Sequence, residues 1–390
     1  MTVEPYRRVL ALPGVRALLL VGLVARIPIT ATGLTLTLHV VNSMRLGFLQ
    51  AGLVGAAATI GVAVGSPVAG RFVDRRGLRP VVMVTTAAQV VFWLPSALLP
   101  YWLLLIGAFV SGVLALPVFS VIRQCVAAAI PADQRRTGYA LDSMLVEVSY
   151  MIGPAIAVAA VTLVGSGPTM AAIGVGLVGS GIALWALNPA TRADDELADA
   201  VTVTRRQWLT PRLLALLGIT SAATFVLTAT ELSMVAVLKA DGAARWTGLA
   251  VAVWCFWSLA GGFVYGGLSR GVSPLVMIGT MAALTAPLGL VGDWRVLCLA
   301  LVPAGLLCAP ALSTTVDTIS RSVPTGARGE AMGLHGTALT LGLSVSGPVT
   351  GAIIDDYGTG WAFAVAGLVG LALVLTALPF WRQAPQPAYT

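Results

Sequence analysis

Apolar residues run along the chain in long blocks that short polar turns separate. Runs such as LLALLGITSAATFVL (213–227) lack the alternation expected of strands in a lipid-spanning barrel. A block of about 20 apolar residues is long enough to cross a bilayer as an α-helix. Twelve such blocks are predicted, at 15–41, 47–70, 80–99, 101–125, 138–163, 168–188, 211–238, 246–268, 274–292, 295–318, 330–354 and 360–381.

The composition indicates that these blocks meet lipid. Of the 390 residues, 57% are hydrophobic and 10% are charged, whereas an average soluble chain is about 25% charged. So few charges cannot cover that much apolar surface in water. The sequence therefore predicts an all-α membrane protein with twelve transmembrane helices in contact with the lipid bilayer.

The basic residues lie mainly in the turns between the blocks. The formal net charge is +7, but no continuous basic face is formed, so a nucleic-acid partner is excluded. With alternating spans, eighteen arginines and lysines fall on the side of both termini and four on the other, while Arg26 lies inside the first span. Because basic loops stay in the cytoplasm, we expect a multi-pass protein of the inner or plasma membrane with both termini cytoplasmic.

The residues that carry catalysis or bind metals are not arranged for either purpose. The sequence has no nucleotide-binding loop, no metal-ligand cluster and no nucleophile–histidine pair. Its cysteines lie within apolar blocks without paired spacing, which indicates small core residues. These cysteines are Cys125, Cys255, Cys298 and Cys308. We expect no enzymatic activity, no cofactor, no metal and no ATP-driven pumping by this chain.

The two halves of the chain resemble each other at an offset of 194 residues. RRGLRPVVMV (75–84) aligns with SRGVSPLVMI (269–278), and a Gly-Pro pair at 153–154 aligns with one at 347–348. A six-span unit duplicated in one orientation is typical of parallel transporter repeats. The predicted domains are an N-terminal six-helix bundle (1–190), a cytoplasmic linker (191–210) and a C-terminal six-helix bundle (211–390).

The turn between the second and third spans is the most specific stretch, and it reads GRFVDRRGLRP (70–80). It resembles the G-x-x-x-D-R-x-G-x-R turn of the major facilitator superfamily, in the family's usual place. The matching residues are Gly70, Asp74, Arg75, Gly77 and Arg79. The resemblance implies two pseudo-symmetric six-helix bundles and secondary transport of a small molecule. We expect the transporter to act as a monomer.

The residue types in this turn suit a contact between helices. Its first glycine allows close approach of a neighbouring helix, and its second allows a tight reversal. Asp74 is suited to accept hydrogen bonds from a helix N-terminus. The resemblance implies that this helix is span eleven, and that Arg75 and Arg79 keep Asp74 charged and reach Glu330 as a conformational latch. Alternatively, the arginines only fix the topology.

Two charged residues lie deep within the first half. Arg26 and Glu147 each lie about ten residues into spans one and five, and the resemblance implies that these spans touch. A charge at this depth requires a partner or a wet cavity, so we predict that the two side chains meet. Glu147 is then either the protonation site for proton coupling or one end of a structural ion pair. Arg26 is also suited to bind an anionic group of a substrate.

Other polar residues within the spans have two interpretations each. Asp142 either contacts Arg123 or supplies interfacial polarity. His39 and Glu231 lie near the outer ends of spans one and seven, which the resemblance places face to face; they form a protonation-sensitive gate or are merely hydrated. His335 is a further titratable candidate. In span eight, Trp254 and Trp257 line a hydrophobic pocket or pack against other helices.

Exporters of the superfamily carry a glycine-rich G-P-x-x-G-G motif on span five. This chain matches it partly, which implies close helix packing at Gly153, Pro154, Gly347, Pro348 and Gly351. The scarcity of polar residues in the spans favours an apolar or amphipathic cargo over a sugar. We interpret the chain as a proton-coupled antiporter that exports such a compound. The alternatives are an uptake permease for a small organic solute and a non-transporting membrane sensor.

Overall fold

The computed structural model describes residues 3–46, 48–191, 205–243, 246–268 and 271–382. Helices joined by short turns make up the described chain, which confirms the all-α fold. Eleven of the described helical stretches are long and apolar enough to cross a membrane, and the ninth span, Pro274–Leu290, is shorter. Most of the predicted linker, residues 192–204, lies outside the described residues.

The helices follow one another in the predicted order. Spans one to six are Val15–Leu38 with a π-helical turn to Ser43, Phe48–Arg76, Leu78–Trp93, Tyr101–Val113 with Val118–Ala129, Arg135–Val164 and Ser166–Leu187. Spans seven to twelve are Pro211–Ala240, Thr247–Gly266, Pro274–Thr285, Trp294–Ala300 with Val302–Gly305 and Cys308–Ser322, Arg328–Tyr357 and Thr359–Arg382. Short helices at Glu4–Ala11 and Arg205–Trp208 precede spans one and seven.

Single glycines form three of the tightest turns between spans. Gly77 joins spans two and three with a φ of 82°, Gly165 joins spans five and six with 87°, and Gly358 joins spans eleven and twelve with 92°. A side chain at this φ would press its Cβ against the backbone, which glycine avoids. These glycines let two long helices follow each other almost without a loop.

The packing of the helices repeats between the two halves. In the first half, span one packs on spans five and six, span two on span four, and span three on span six. In the second half, span seven packs on spans eleven and twelve, span eight on span ten, and span nine on span twelve. Each contact of the first half thus recurs six spans later. This is the pseudo-symmetry of two six-helix bundles that the internal repeat predicted.

The two halves meet through spans two, four and five on one side and spans eight, ten and eleven on the other. Among the described residues, the hydrogen bonds between the halves lie near one end of the bundle, which we call the terminal face. It holds the short helix Glu4–Ala11, the turn at Gly77 and the start of span eleven. The deepest of these bonds join Ser258 to Glu147 and Thr337 to the Ala63 carbonyl. The structure is therefore closed at the terminal face and leaves the halves unbonded toward the opposite face.

Spans four and ten are interrupted near mid-length. In span four the helix stops at Val113 and resumes at Val118, after Pro117. The Gln89 amide of span three donates to the carbonyls of Ser111 (3.1 Å) and Leu114 (3.0 Å), so carbonyls freed by the break are satisfied. In span ten, a corresponding break precedes the helix that begins at Cys308. Each of these spans therefore consists of segments that are not one continuous helix.

Glycines let the backbones of spans two and four approach each other closely. A Cβ atom built on Gly65 would collide with the backbone of Val113, and one on Gly112 would collide with Ala58. Small residues at helix interfaces allow this packing in membranes, where the dispersion contacts of close backbones stabilise association. By contrast, a Cβ at Gly55 of the same span meets no atom within 4 Å.

The variant Gly65→Val tests this contact. We expect the added side chain to push spans two and four apart and to destabilise the protein by ~1–3 kcal/mol. The measurement is thermal unfolding of the purified protein in detergent. Gly55→Val adds the same side chain to the same helix in open space and is expected to leave the unfolding temperature unchanged. Equal losses in the two variants would contradict the packing argument.

Candidate functional site

A carboxylate of the first half caps a helix of the second half at the terminal face. Asp74 accepts hydrogen bonds from the backbone N–H groups of Gly329 (3.0 Å) and Glu330 (2.9 Å) at the start of span eleven. The Gln124 amide donates a third bond to the same carboxylate at 2.9 Å. The first N–H groups of a helix lack partners within the helix, and the helix dipole favours a negative charge there. Asp74 thus lies against a helix N-terminus, as its place in the turn suggested.

The cap requires close backbones. A Cβ on Gly70 would collide with the Gly329 carbonyl, and a Cβ on Gly329 would lie 2.6 Å from an oxygen of Asp74. Only glycine at both positions lets span two approach the first turn of span eleven at this distance. Gly77 follows the end of span two, three residues after the capping residue, in the positive-φ conformation described above.

Glu330 has ion-pair partners other than the predicted ones. It pairs with Arg71 at 3.9 Å and with Arg205, in the short helix before span seven. Arg79 instead donates to the Trp185 carbonyl at 3.3 Å and stacks over the indole ring of Trp185, while Arg75 is exposed. The predicted reach of Arg75 and Arg79 to Glu330 is not formed. The turn at residue 77 directs Arg79 along span three toward span six and away from the second half.

A second group of contacts closes the terminal face between spans five and eight. The Thr137 hydroxyl donates to the Gly266 carbonyl at 2.6 Å, and Arg136 donates to the Leu268 carbonyl. Tyr6, from the helix before span one, stacks on Phe263 with ring centroids 4.7 Å apart and donates to the Phe263 carbonyl. Burial raises the pKa of Tyr6 to about 12, so the hydroxyl keeps its proton at physiological pH. The residue types along the sequence do not indicate this group, because its acceptors are backbone carbonyls.

A buried network of charged and polar side chains runs through the middle of the bundle. Arg26 lies 2.8 Å from the carboxylate of Asp142, and the second oxygen of Asp142 is 3.7 Å from Arg123. Arg123 is 3.0 Å from Nδ1 of His335, whose Nε2 is 2.8 Å from the Thr315 hydroxyl. Arg26 is 0% exposed and Asp142 is 1% exposed, so this pairing compensates charges removed from water. This buried network links spans one, four and five to spans ten and eleven.

The predicted contact between Arg26 and Glu147 is not formed, because Arg26 pairs with Asp142. Two features of helices explain the difference. A long side chain on a helix slopes toward the N-terminus of that helix, so Arg26 reaches toward the terminal face and meets Asp142. Residues five apart on a helix point about 140° away from each other, so Glu147 faces elsewhere. Asp142 contacts Arg123, as one of its two interpretations required, and it does not supply interfacial polarity.

Glu147 faces the second half of the protein. Its carboxylate accepts a hydrogen bond from the Ser258 hydroxyl of span eight at 3.1 Å. No described arginine, lysine or histidine forms an ion pair with it. Glu231 is exposed, as is Tyr150 on span five at 51%.

The predicted gate between His39 and Glu231 is not formed in this conformation. Nδ1 of His39 is 2.8 Å from the Ser166 hydroxyl at the start of span six, and the imidazole is buried. Span one packs on span six at this level, which holds His39 within the first half. Glu231 is on the separate second half.

The remaining predicted residues lie at helix contacts or at open positions. Trp254 and Trp257 line a crevice between spans eight and ten and pack against Gly305. Gly153 lies against Thr30 of span one, next to Pro154 within an unbroken helix. Span eleven likewise continues through Pro348, but a Cβ at Gly347 or Gly351 would meet no atom within 4 Å. The predicted packing role of these last two glycines is therefore not observed in this conformation.

Comparisons with known proteins agree on one family and one fold. The sequence model described as Major Facilitator Superfamily matches residues 18–292 and 213–390. No curated protein matches the sequence. At 14–17% identity, the solved structures it resembles show the fold alone.

Three of these structures cover nearly the whole chain. The human organic anion transporter MFSD10 (TETRAN) is 14% identical with a TM-score of 0.71, over 95% of this chain and 99% of that chain. A bacterial homologue of the iron transporter ferroportin, in an outward-facing state, is 16% identical with a TM-score of 0.71, over 93% and 97%. The proton:xylose symporter XylE is 15% identical with a TM-score of 0.66, over 95% and 96%.

The variant Asp142→Asn tests the role of the buried network in stability. It leaves Arg26 and Arg123 buried without a counter-charge, and we expect it to destabilise the protein by ~3–5 kcal/mol. Glu147→Gln is the matched control, because its carboxylate has no cation partner among the described residues, and we expect a loss below ~1 kcal/mol. Thermal unfolding in detergent compares the two. Unfolding of both variants at the wild-type temperature would contradict a structural role for the buried network.

Proposed function

Because the chain belongs to the major facilitator superfamily and is a secondary transporter, we propose that it exchanges protons for a small hydrophobic or amphipathic compound and exports that compound. Transport proceeds by alternating access, in which the two six-helix bundles (1–190 and 211–390) rock about a central cleft as a monomer. The single observation that carries the proposal is the hydrogen bond between Ser258 and Glu147, which joins the halves through a carboxylate that has no cation partner among the described residues.

The orientation in the membrane follows from the basic residues. Arg71, Arg75, Arg76 and Arg79 surround the turn at the terminal face, and the turns at the opposite face carry few basic residues. Because basic loops remain cytoplasmic, the terminal face is the cytoplasmic face of the inner or plasma membrane in our proposal. The conformation described here is then open to the outside.

Asp74 and its neighbours act in this proposal as the latch of the outward-open state. The cap on span eleven exists only while the terminal face is closed, since its donors and its acceptor lie on different halves. Opening this face breaks the cap and exposes the first turn of span eleven. The ion pairs of Glu330 with Arg71 and Arg205 stabilise the same contact.

Glu147 is the proposed proton-coupling residue. Protonation of Asp142 would leave two buried guanidinium groups uncompensated, which is costly. Protonation of Glu147 removes no ion pair in the described part of the chain and alters a bond that joins the halves. Binding a proton at this position therefore favours one arrangement of the two bundles over the other, as coupling requires.

The side chains near the cleft favour an apolar or amphipathic cargo. Phe119 and Tyr150 of the first half lie with ring centroids 6.4 Å apart, and the Arg26 guanidinium stacks over Phe119 at 5.0 Å. Such surfaces bury apolar ligands well, whereas a sugar needs many hydrogen-bonding side chains.

Two alternatives are distinguished by one experiment with membrane vesicles. An uptake symporter, such as the proton:xylose symporter among the similar structures, would accumulate its solute in right-side-out vesicles, whereas an uptake uniporter would only equilibrate it. An exporter would accumulate its cargo in inside-out vesicles with an acidic interior. A sensor that does not transport would move no compound in either orientation.

The variant Asp74→Ala tests the latch. Loss of a helix cap costs ~1–2 kcal/mol, so we expect the ratio of open to closed terminal faces to rise roughly 5–30-fold. The distance between spin labels on Arg76→Cys and Val276→Cys, exposed ends of spans two and nine, reports this ratio. Asp293→Ala is the control, because Asp293 caps Arg295 and Val296 within the second half. A matching shift in the control would refute the latch.

The variant Glu147→Gln tests proton coupling. A one-unit pH difference supports roughly tenfold accumulation for one-proton exchange, and we expect the variant to accumulate no cargo. It still accepts the Ser258 hydrogen bond, so exchange of labelled for unlabelled cargo should persist without a gradient. Asp241→Asn removes an exposed carboxylate at the opposite face and serves as the control. Gradient-driven accumulation at wild-type levels in Glu147→Gln would exclude it as the coupling residue.

A further inference from the structure

His335 joins the two halves from a fully buried position in span eleven. Its imidazole is 0% exposed, with Nδ1 3.0 Å from Nη1 of Arg123 in span four and Nε2 2.8 Å from the Thr315 hydroxyl in span ten. The contact with Arg123 crosses between the halves, whereas the contact with Thr315 stays within the second half. The ring is therefore a bridge that exists only when span four packs on span eleven.

The partners of the ring fix its protonation state. A guanidinium only donates hydrogen bonds, so Nδ1 of His335 must accept from Arg123 and carries no proton. The proton of the neutral ring then lies on Nε2 and is donated to the Thr315 oxygen. The Thr315 hydroxyl in turn donates to the Leu312 carbonyl at 2.7 Å. Each polar atom of the imidazole and of the Thr315 hydroxyl thus has a hydrogen-bond partner. This arrangement of hydrogen bonds requires a neutral imidazole.

The charges around the ring offer no compensation for a second proton. From span four, Arg123 faces Nδ1 directly, and Asp142 of span five lies behind Arg123 and is shared with Arg26. From span ten the facing group is Thr315, two residues from Asp317, which pairs with its own neighbour Arg321 at 3.0 Å.

Spans two, seven and twelve also pack on span eleven; spans two and seven contribute hydroxyl groups at this level, and span twelve carries no titratable side chain from Thr359 to Trp381. In span two, Ser66 lies against Gly333 and Gly336, and in span seven, Ser221 donates to the Ala338 carbonyl at 2.8 Å. Neither side chain titrates. A proton on Nδ1 would therefore place an imidazolium against a guanidinium, and none of the described carboxylates is in contact with the ring.

We propose that His335 is a proton-binding site that controls the terminal face, separate from the coupling residue. A proton on Nδ1 replaces the hydrogen bond to Arg123 with two donors and two positive charges in contact, which drives span four from span eleven. With the face open, water solvates both cations. The hydrated imidazole of the open face changes charge between about pH 5 and 8, whereas the closed face holds the neutral ring. Acidification on the terminal-face side therefore favours the open face, and neutral pH favours the closed face.

This inference does not depend on proton-driven export. It concerns which face is open at a given pH, and this is measured without a cargo or a gradient. A failure of Glu147 as coupling residue leaves it intact. If the terminal face is cytoplasmic, the site holds the transporter open to a cytoplasm that has become acidic.

The test uses the spin-label pair on Arg76→Cys and Val276→Cys in the full-length protein. Between about pH 8 and pH 5.5 we expect the ratio of long to short distances to rise roughly tenfold. In His335→Asn, the amide oxygen can accept from Arg123 but does not titrate, so the distances should stay short at both pH values. In His335→Lys, a cation faces Arg123 at all times, so the long distance should dominate at both.

The chain contains two histidines, and the second provides the matched control. His39→Asn removes the imidazole that faces Ser166 within the first half and should keep the wild-type response to pH. Should the lysine variant fail to fold, His335→Gln replaces it and should show no pH response. The proposal is overturned if His335→Asn retains the full response, if His39→Asn abolishes it, or if the wild-type distances do not change with pH.

Discussion

A charge inside a membrane bundle needs a partner or a wet cavity, and among the described carboxylates Asp142 is the one that pairs with two buried guanidinium groups. Arg26 comes to it from span one and Arg123 from span four, and neither arginine contacts another described carboxylate. This sharing holds the three spans of the first half in one arrangement. It also leaves Arg123 with donors to spare, and one of them reaches the second half through His335. The ion cluster of one bundle is thus extended into a contact between bundles.

The closure of the terminal face rests largely on backbone groups. Asp74 binds N–H groups of span eleven, while Thr137, Arg136 and Arg321 bind carbonyls at the ends of the neighbouring spans. Helix ends provide these groups because they have no partners within the helix. Such contacts are strong when aligned and vanish when the helix end moves away. A closure built from them suits a face that must open and close repeatedly without breaking a hydrophobic core.

The fold and the closing turn could be predicted from the sequence, but the pairing of buried charges could not. Helix length, the internal repeat and the turn at residues 70–80 depend on local patterns, which a sequence displays directly. The partner of Arg26 depends on how span one is rotated against span five and on the slope of a long side chain. Glu147 was the predicted partner because it lies at the same depth as Arg26. The rotation of the two helices about their axes instead places Asp142 next to Arg26.

His39 shows a related limit of the sequence. Its depth suggested a partner across the cleft, but a serine from the neighbouring span of its own half lies closer. Contacts to backbone carbonyls, such as those of Tyr6 and Thr137, leave no trace in the types of residue along the chain.

The interruptions in spans four and ten bear on how the molecule moves. Arg123 lies on the segment of span four that begins at Val118, and Thr315 lies on the segment of span ten that begins at Cys308. Both breaks fall on the far side of these residues from the terminal face, and an interrupted helix bends where its backbone hydrogen bonds are missing. The segments on the terminal-face side of the breaks can therefore bend relative to the rest of their spans. The segments beyond the breaks stay packed against spans two and eight. In the proposed mechanism, opening of the terminal face then combines the rocking of the two bundles with bending of spans four and ten at these breaks.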